Sequence, residues 1–322
     1  MTGARTLQSI HRRNVLFGLG AAMSAAATGA GAAARPFFKT AGLPIGIQLY
    51  TLGPDAAKDL GGTLKAVAGI GYKTVELPGF MGKAPGDLRT ALDAAGLACP
   101  SVHVQPRGGD LTFSGDLGKL AAALHAVGAK AAVAPICWFP DRMEMRPQAG
   151  EDMGGMLRRL VSQMTADDWK ANAEFLNQKA TLLKKEGLKV GYHNHNFEFL
   201  PLGSTYGLEI LLKETDPSLV TFEIDVGWVA AAGHDPAALL ARHKGRFTMM
   251  HVKDIKPTTT PNFALKMDPT EVGSGAIDWK KLLPAAKASG VTGFFVEQEP
   301  PFERPRIEAA KICHDYLAGV AA

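Results

Sequence analysis

The chain reads as an α/β protein, a single (β/α)8 TIM barrel, on three observations. Short apolar runs alternate with amphipathic helical patterns, and eight such alternations follow one another with no obvious second domain. The 322 residues exceed the roughly 250 that such a barrel uses, leaving room for an N-terminal extension. Four late runs each end in a side chain able to ligate a metal: Lys189-Val190-Gly191-Tyr192-His193, Val220-Thr221-Phe222-Glu223-Ile224-Asp225, Phe247-Thr248-Met249-Met250-His251 and Gly293-Phe294-Phe295-Val296-Glu297. In a barrel of parallel strands the C-terminal strand ends converge on one mouth, where such active sites lie.

The elements follow in order. The first strand is expected over 45–50, with a helix over 60–70 that Gly71 stops. A second strand over 74–77 precedes a helix near 88–95; a third over 99–103 precedes a helix over 117–127; a fourth spans 131–134. The stretch 138–164 breaks the pattern. It carries Pro140, Pro147, Gly150, Gly154, Gly155 and several methionines, and reads as an insertion over the mouth or as a disordered surface excursion. A helix then runs from 166 to about 186, with Thr165 as N-cap, early acids, and Gly187 as its stop. Helices near 207–215, 236–243 and 278–288 separate the last four strands, with Asp278 reading as an N-cap, and a final helix covers about 305–317.

Residues 1–34 read as a leader outside the fold. Arg12-Arg13 precede an apolar run, a small-residue tract follows, and Ala32-Ala33-Ala34 offers a cleavage site. The twin arginine points to the Tat export machinery as a partner and to a periplasmic location, with 35–43 as a linker and 44–322 as the barrel. The run is too short and too rich in Gly and Ala to span a membrane, which takes about 20 apolar residues, so no stable membrane anchor is expected. Arg5, Arg12 and Arg13 are the only charged residues of the leader, so the chain without it carries +1 rather than +4. A near-neutral protein gives no electrostatic argument for nucleic acid, and none is expected as a partner. Cys99, Cys137 and Cys313 have neither the number nor the spacing of a disulfide framework or a zinc-thiolate site.

His193, Asp225, His251 and Glu297 form the expected metal set. Imidazole nitrogen with carboxylate oxygen suits one divalent ion of Mn, Fe, Co, Ni or Zn; a hard all-oxygen site for Mg or Ca would not need two histidines. Taken singly, Asp225 has a second reading as a helix cap, and Glu297 as an arginine partner. Gln48, Tyr50, Glu76, His103 and Trp138 fall at or just beyond other strand ends. Of these, Glu76 and His103 join His195, Glu198 and Trp228 as candidate substrate-binding residues, while Gly273 and Gly275 read as a tight loop.

Tyr192-His193-Asn194-His195-Asn196-Phe197-Glu198-Phe199, Glu223-Ile224-Asp225-Val226-Gly227-Trp228, His251-Val252-Lys253-Asp254 and Val272-Gly273-Ser274-Gly275-Ala276-Ile277-Asp278-Trp279 resemble the sugar phosphate isomerase/epimerase family, within the xylose isomerase-like TIM-barrel superfamily. The resemblance covers roughly 44–318. It implies metal ligands from strands five to eight, of type Glu, Asp, His and Glu. Asp225, His251 and Glu297 match; His193 stands where many members have glutamate. The resemblance further implies that the strand-five and strand-eight glutamates act as paired acid and base. Here Glu297 remains, and His193, Lys253, His103, His195 and Glu198 are the candidates for the second proton carrier.

The leading expectation is therefore a metal-dependent isomerase or epimerase, acting on a small-molecule sugar or keto-sugar by proton abstraction beside a carbonyl. The lost glutamate makes a 3-keto-glycoside lyase or hydratase the alternative. A non-catalytic periplasmic sugar-binding protein is a further one, since a fold does not imply turnover. Cleavage of abasic DNA, by analogy with endonuclease IV-type relatives, is disfavoured by charge and leader. The sequence is compatible with a homo-oligomer and does not specify one.

Overall fold

The computed structural model of the chain describes residues 35–322. Eight parallel strands form one sheet: strand one Gly46–Gln48, two Thr74–Glu76, three Ser101–His103, four Ala131–Ala134, five Lys189–His193, six Val220–Asp225, seven Phe247–Val252 and eight Gly293–Val296. Their spatial order is two-one-eight-seven-six-five-four-three. Parallel bridges Leu77 to Val102 and Thr74 to Ala98 join strands two and three, so the sheet closes on itself. The expected TIM barrel is the observed fold.

Register places the chemistry. Gln48 pairs with Glu76, His193 with Glu223, Asp225 with His251, and His251 with Phe295. Side chains alternate in and out along each strand. Ala131, Val133, Met249 and Phe295 therefore pack as an apolar plug inside the barrel, and the polar residues further along the strands form the layer above it. A register irregularity at Phe222/Glu223 disturbs the pairing of strands six and seven just below that layer.

Several expectations change in detail. Strand three begins at Ser101 rather than 99, because Pro100 has no N–H to give a ladder. Strand one ends at Gln48, whose side chain accepts from the Tyr50 N–H and turns the chain into a 3-10 segment, Leu49–Leu52. The stretch 138–164 is not irregular throughout. It contains a helix, Met153–Ser162, capped by Asp152 and packed through Met156, Leu157, Leu160 and Val161. Within 35–43 a short helix, Phe37–Ala41, lays Phe37 and Phe38 edge-on against each other and Phe294, with ring centroids 5.1–6.1 Å apart. The Phe37 N–H donates to Val320 O at 2.8 Å, tying this segment to the end of the last helix, Arg306–Gly319. The leader lies outside the described residues, and among those described no helix is long and apolar enough to cross a membrane.

Candidate active site at the barrel mouth

Two successive inward positions of strand six carry acids, Glu223 and Asp225, both fully buried. Strand seven places His251 beside them and Lys253 one residue past its end; Glu297 follows strand eight. His193 closes strand five. One ligand atom from each of His193, Asp225, His251 and Glu297 lies within 4.8 Å of all the others. The four side chains expected to converge do so.

Each histidine uses its two ring nitrogens in different directions. His193 Nδ1 lies 3.1 Å from Glu223 Oε2, while Nε2 faces Asp225 Oδ2 at 3.9 Å. His251 Nε2 lies 2.7 Å from Glu76 Oε2 and 3.1 Å from Glu223 Oε2; its Nδ1 lies 2.9 Å from Glu297 Oε2 and 3.7 Å from Asp225 Oδ2. His103 Nε2 adds contacts to Glu223 at 3.0 Å and Glu76 at 3.2 Å. A carboxylate on one ring nitrogen fixes the tautomer and presents the other nitrogen as a donor of electron pairs, which is how metal-ligating histidines are held. The buried set of two imidazoles and two carboxylates thus suits a divalent transition ion in donor chemistry and in support. His103, His193, Glu223 and His251 form a second, overlapping group able to hold an ion.

Lys253 is fully buried among acids. Its Nζ lies 2.8 Å from both Asp225 Oδ2 and Glu297 Oε2, and 3.2 Å from Glu299 Oε1. Gly227 makes room for its stem: a Cβ there would lie 2.7 Å from Lys253 Cγ. The Trp228 ring sits 4.8 Å from the ammonium. Burial opposes the charge on Lys253, but Asp225, Glu297 and Glu299 outweigh it and raise its pKa well above the ordinary lysine value. Burial likewise opposes ionisation of Glu297, yet Lys253 and His251 hold its carboxyl well below the usual range. Glu299 moves the other way: burial, opposed by Lys253 and joined by the charge of Glu297, raises it. His195 is pushed down to about 3 by burial and then by Lys253, so its imidazole is neutral at physiological pH.

The mouth opens into a cavity of about 820 Å³. His103, His193, His195, Trp228 and Glu297 line it, as do Tyr50 and Glu299. Glu76 and Glu198, expected among the substrate-binding residues, are not part of its lining. Glu76 is sealed beneath the histidines, where Gln48 Nε2 also donates to it at 2.9 Å. Glu198 is buried under strand five, accepting from Tyr192 Oη and the His195 N–H, each at 2.8 Å. Asp225 also fills its second reading, since its Oδ1 accepts from the Trp228 N–H at 2.9 Å and caps the helix Val226–Ala231.

Three residues escaped the sequence reading. Glu223 stands two residues from Asp225, the spacing that puts strand neighbours on one face, and Glu299 stands two residues past Glu297, beyond the end of strand eight. Asn196 pins the loop after strand seven: its Nδ2 donates to Asn262 O and Oδ1, each at 3.0 Å, and its Oδ1 accepts from the Leu265 N–H at 3.0 Å. No local spacing announces that contact, because its partners lie 66 and 69 residues away.

A closed parallel barrel with a buried His, Asp and Glu cluster at its C-terminal mouth defines a class of small-molecule enzymes of the TIM-barrel type. The family model for the xylose isomerase-like TIM barrel matches residues 64–317, and the chain belongs to that family. It is 23% identical over 271 residues to an inosose dehydratase of Geobacillus kaustophilus, covering 79% of this chain and 85% of the relative. It is 30% identical over 166 residues to an inosose dehydratase of Lactiplantibacillus plantarum, covering 48% of this chain and about half (54%) of that relative. A solved sugar phosphate isomerase/epimerase from Parabacteroides distasonis superposes with a TM-score of 0.65 at 26% identity, over 85% of this chain and 93% of the other. These relatives are enzymes, as the residues predict for this chain.

Proposed function

We propose that the chain removes the proton on the carbon beside a ketone in a polyhydroxylated ring and expels an oxygen substituent from the next carbon, a lyase or dehydratase reaction. One observation carries this reading: the carboxylates at the polar floor of the cavity come from one side, the remaining lining acid, Asp268, standing at the rim where it accepts from Thr258 Oγ1 at 2.6 Å. Glu297 and Glu299 both come from the end of strand eight. Strand five, three places around the barrel, offers His193, whose Nδ1 is engaged by Glu223. Epimerisation by a carboxylate pair needs one on each face of the substrate, whereas elimination needs one base and one acid.

His193, Asp225, His251 and Glu297 would hold a divalent cation, whose chemistry there is Lewis-acid polarisation of the ketone oxygen. Glu297 uses Oε2 toward His251 and Lys253, and its other oxygen accepts no hydrogen bond from the described residues. That oxygen takes the proton. The C–H electron pair forms the new C=C bond, the neighbouring C–O bond breaks with its pair on oxygen, and the departing oxygen receives a proton from Glu299. An unsaturated ketone and water, or an alcohol, result. Lys253 holds Glu297 and Glu299 in register and offsets their charge. The dehydratase names of the curated relatives support this reading, since inosose is a ketone of a polyhydroxylated ring.

Isomerisation or epimerisation of a keto-sugar is the second reading, favoured by the likeness to the Parabacteroides distasonis protein. Mass spectrometry of products from inosose and from a methyl 3-keto-glucoside separates the two: loss of water or methanol, against an isomer of equal mass. Dialysis against EDTA should stop turnover, and Mn²⁺ or Co²⁺ should restore it. Glu297→Gln should lower kcat by roughly 10²–10⁴-fold with little change in the melting temperature; full turnover by that variant removes Glu297 from the chemistry. Export by the Tat route to the periplasm is part of the proposal, and a reporter fused to the leader should stay in the cytoplasm when Arg12 and Arg13 are both replaced by lysine.

A further inference from the structure

The polar cluster occupies only the floor of the cavity. Above it the lip is largely apolar, interrupted by Lys266 and Asp268, and comes from two segments far apart in sequence. Met153 stands at the start of the helix Met153–Ser162, with 60% of its surface exposed. Leu265 and Met267 belong to the loop after strand seven, and Trp228 lies below them; all four line the cavity. The two segments meet closely: a Cβ on Gly154 would sit 2.3 Å from Ala264 O. Asn196 ties the same loop to the segment after strand five. The lip is thus a braced feature that keeps Met153 in water and Met267 half-buried against the Trp228 cluster. Lys266 and Asp268 also line it, with opposite charges.

A hexose, on the order of 200 Å³ at interior packing density, leaves most of an 820 Å³ cavity unfilled. Its hydroxyls suit the floor and not the apolar side chains Met153, Leu265 and Met267 of the lip. Methionine side chains adapt to varied apolar shapes and contact aromatic rings favourably. We propose that the substrate is a keto-glycoside whose aglycone is an apolar, aromatic-sized group, seated against Met153, Leu265 and Met267 while the sugar ring lies over Glu297. This rests on the elimination reading, in which the aglycone is the oxygen substituent that leaves.

Benzyl and methyl glucosides test it, because benzyl alcohol and methanol leave about equally well and differ in apolar bulk. Calorimetric titration of the full chain with benzyl β-D-glucoside and methyl β-D-glucoside should show the benzyl compound binding at least tenfold more tightly. The double variant Met153→Ser/Met267→Ser, altered only at the lip, should lose most of that advantage and leave methyl glucoside binding unchanged. Equal affinities, no binding of either glucoside, or a benzyl preference that survives the double variant would each overturn the inference. The 3-keto forms separate the two levels. Tight benzyl binding without release of benzyl alcohol sinks the elimination reading and leaves the lip assignment standing. Release of both alcohols with equal KM does the reverse.

Discussion

At the residue scale, the site is built on two buried carboxylates, Glu223 and Glu76, that do not line the cavity. Glu223 receives His103, His193 and His251 on one oxygen, and Glu76 shares two of these rings. Burial alone would raise both acids, and the neighbouring charge of Glu76 also raises Glu223. The histidines outweigh these effects, so Glu223 lies down at about 2 and Glu76 lower still. Replacing Glu223 by Gln should weaken Co²⁺ binding, read from its visible absorption in the intact chain, by about 10–100-fold, the usual cost of losing such a support. Glu198 behaves oppositely. Full burial pushes it up to about 8 despite the hydrogen bonds from Tyr192 and His195. An unfolded glutamate releases its proton near 4.3, so between roughly pH 4.5 and 8 the folded state holds more protons and stability falls as pH rises. Denaturant titrations at several pH values should show that decline, and Glu198→Gln should flatten it.

At the element scale, the strand ends and caps were legible because each is announced by a local pattern. The helix Ala166–Lys184 begins with the expected Thr165 cap, reinforced by a reciprocal bond in which Asp168 Oδ2 accepts from the Thr165 N–H at 2.7 Å. Thr165→Ala should therefore cost about 1 kcal/mol in a urea melt. The helix Met153–Ser162 was hidden because Pro147, Gly150, Gly154 and Gly155 crowd its start and outweighed the pattern of Met156, Leu157, Leu160 and Val161. Strand lengths were overestimated for a similar reason. Apolar runs continue past the last ladder bond, as at Leu49, where a side-chain cap rather than hydropathy turns the chain.

At the scale of the whole molecule, the barrel separates stability from chemistry. Phe37 and Phe38 pack on Phe294 near the start of strand eight, on the far side of the strand's length from Glu297, which follows its last residue. Phe38→Ala should lower unfolding free energy by about 3–5 kcal/mol and leave kcat at a temperature below the melt unchanged; a parallel loss of kcat would show that floor and mouth are coupled. The order of residues along the chain was enough to specify the barrel, the family and the meeting of His193, Asp225, His251 and Glu297 at one mouth, because hydrophobic period and strand-end position are local properties that a closed parallel sheet converts into convergence. It was silent on Glu223 beneath the histidines, on Glu299 and Lys253 sharing one charge network, and on Met153 meeting the loop around Leu265. Those depend on which side chains from distant segments share a few ångströms of buried space. Register, burial and loop contact settle that only once the whole barrel has closed.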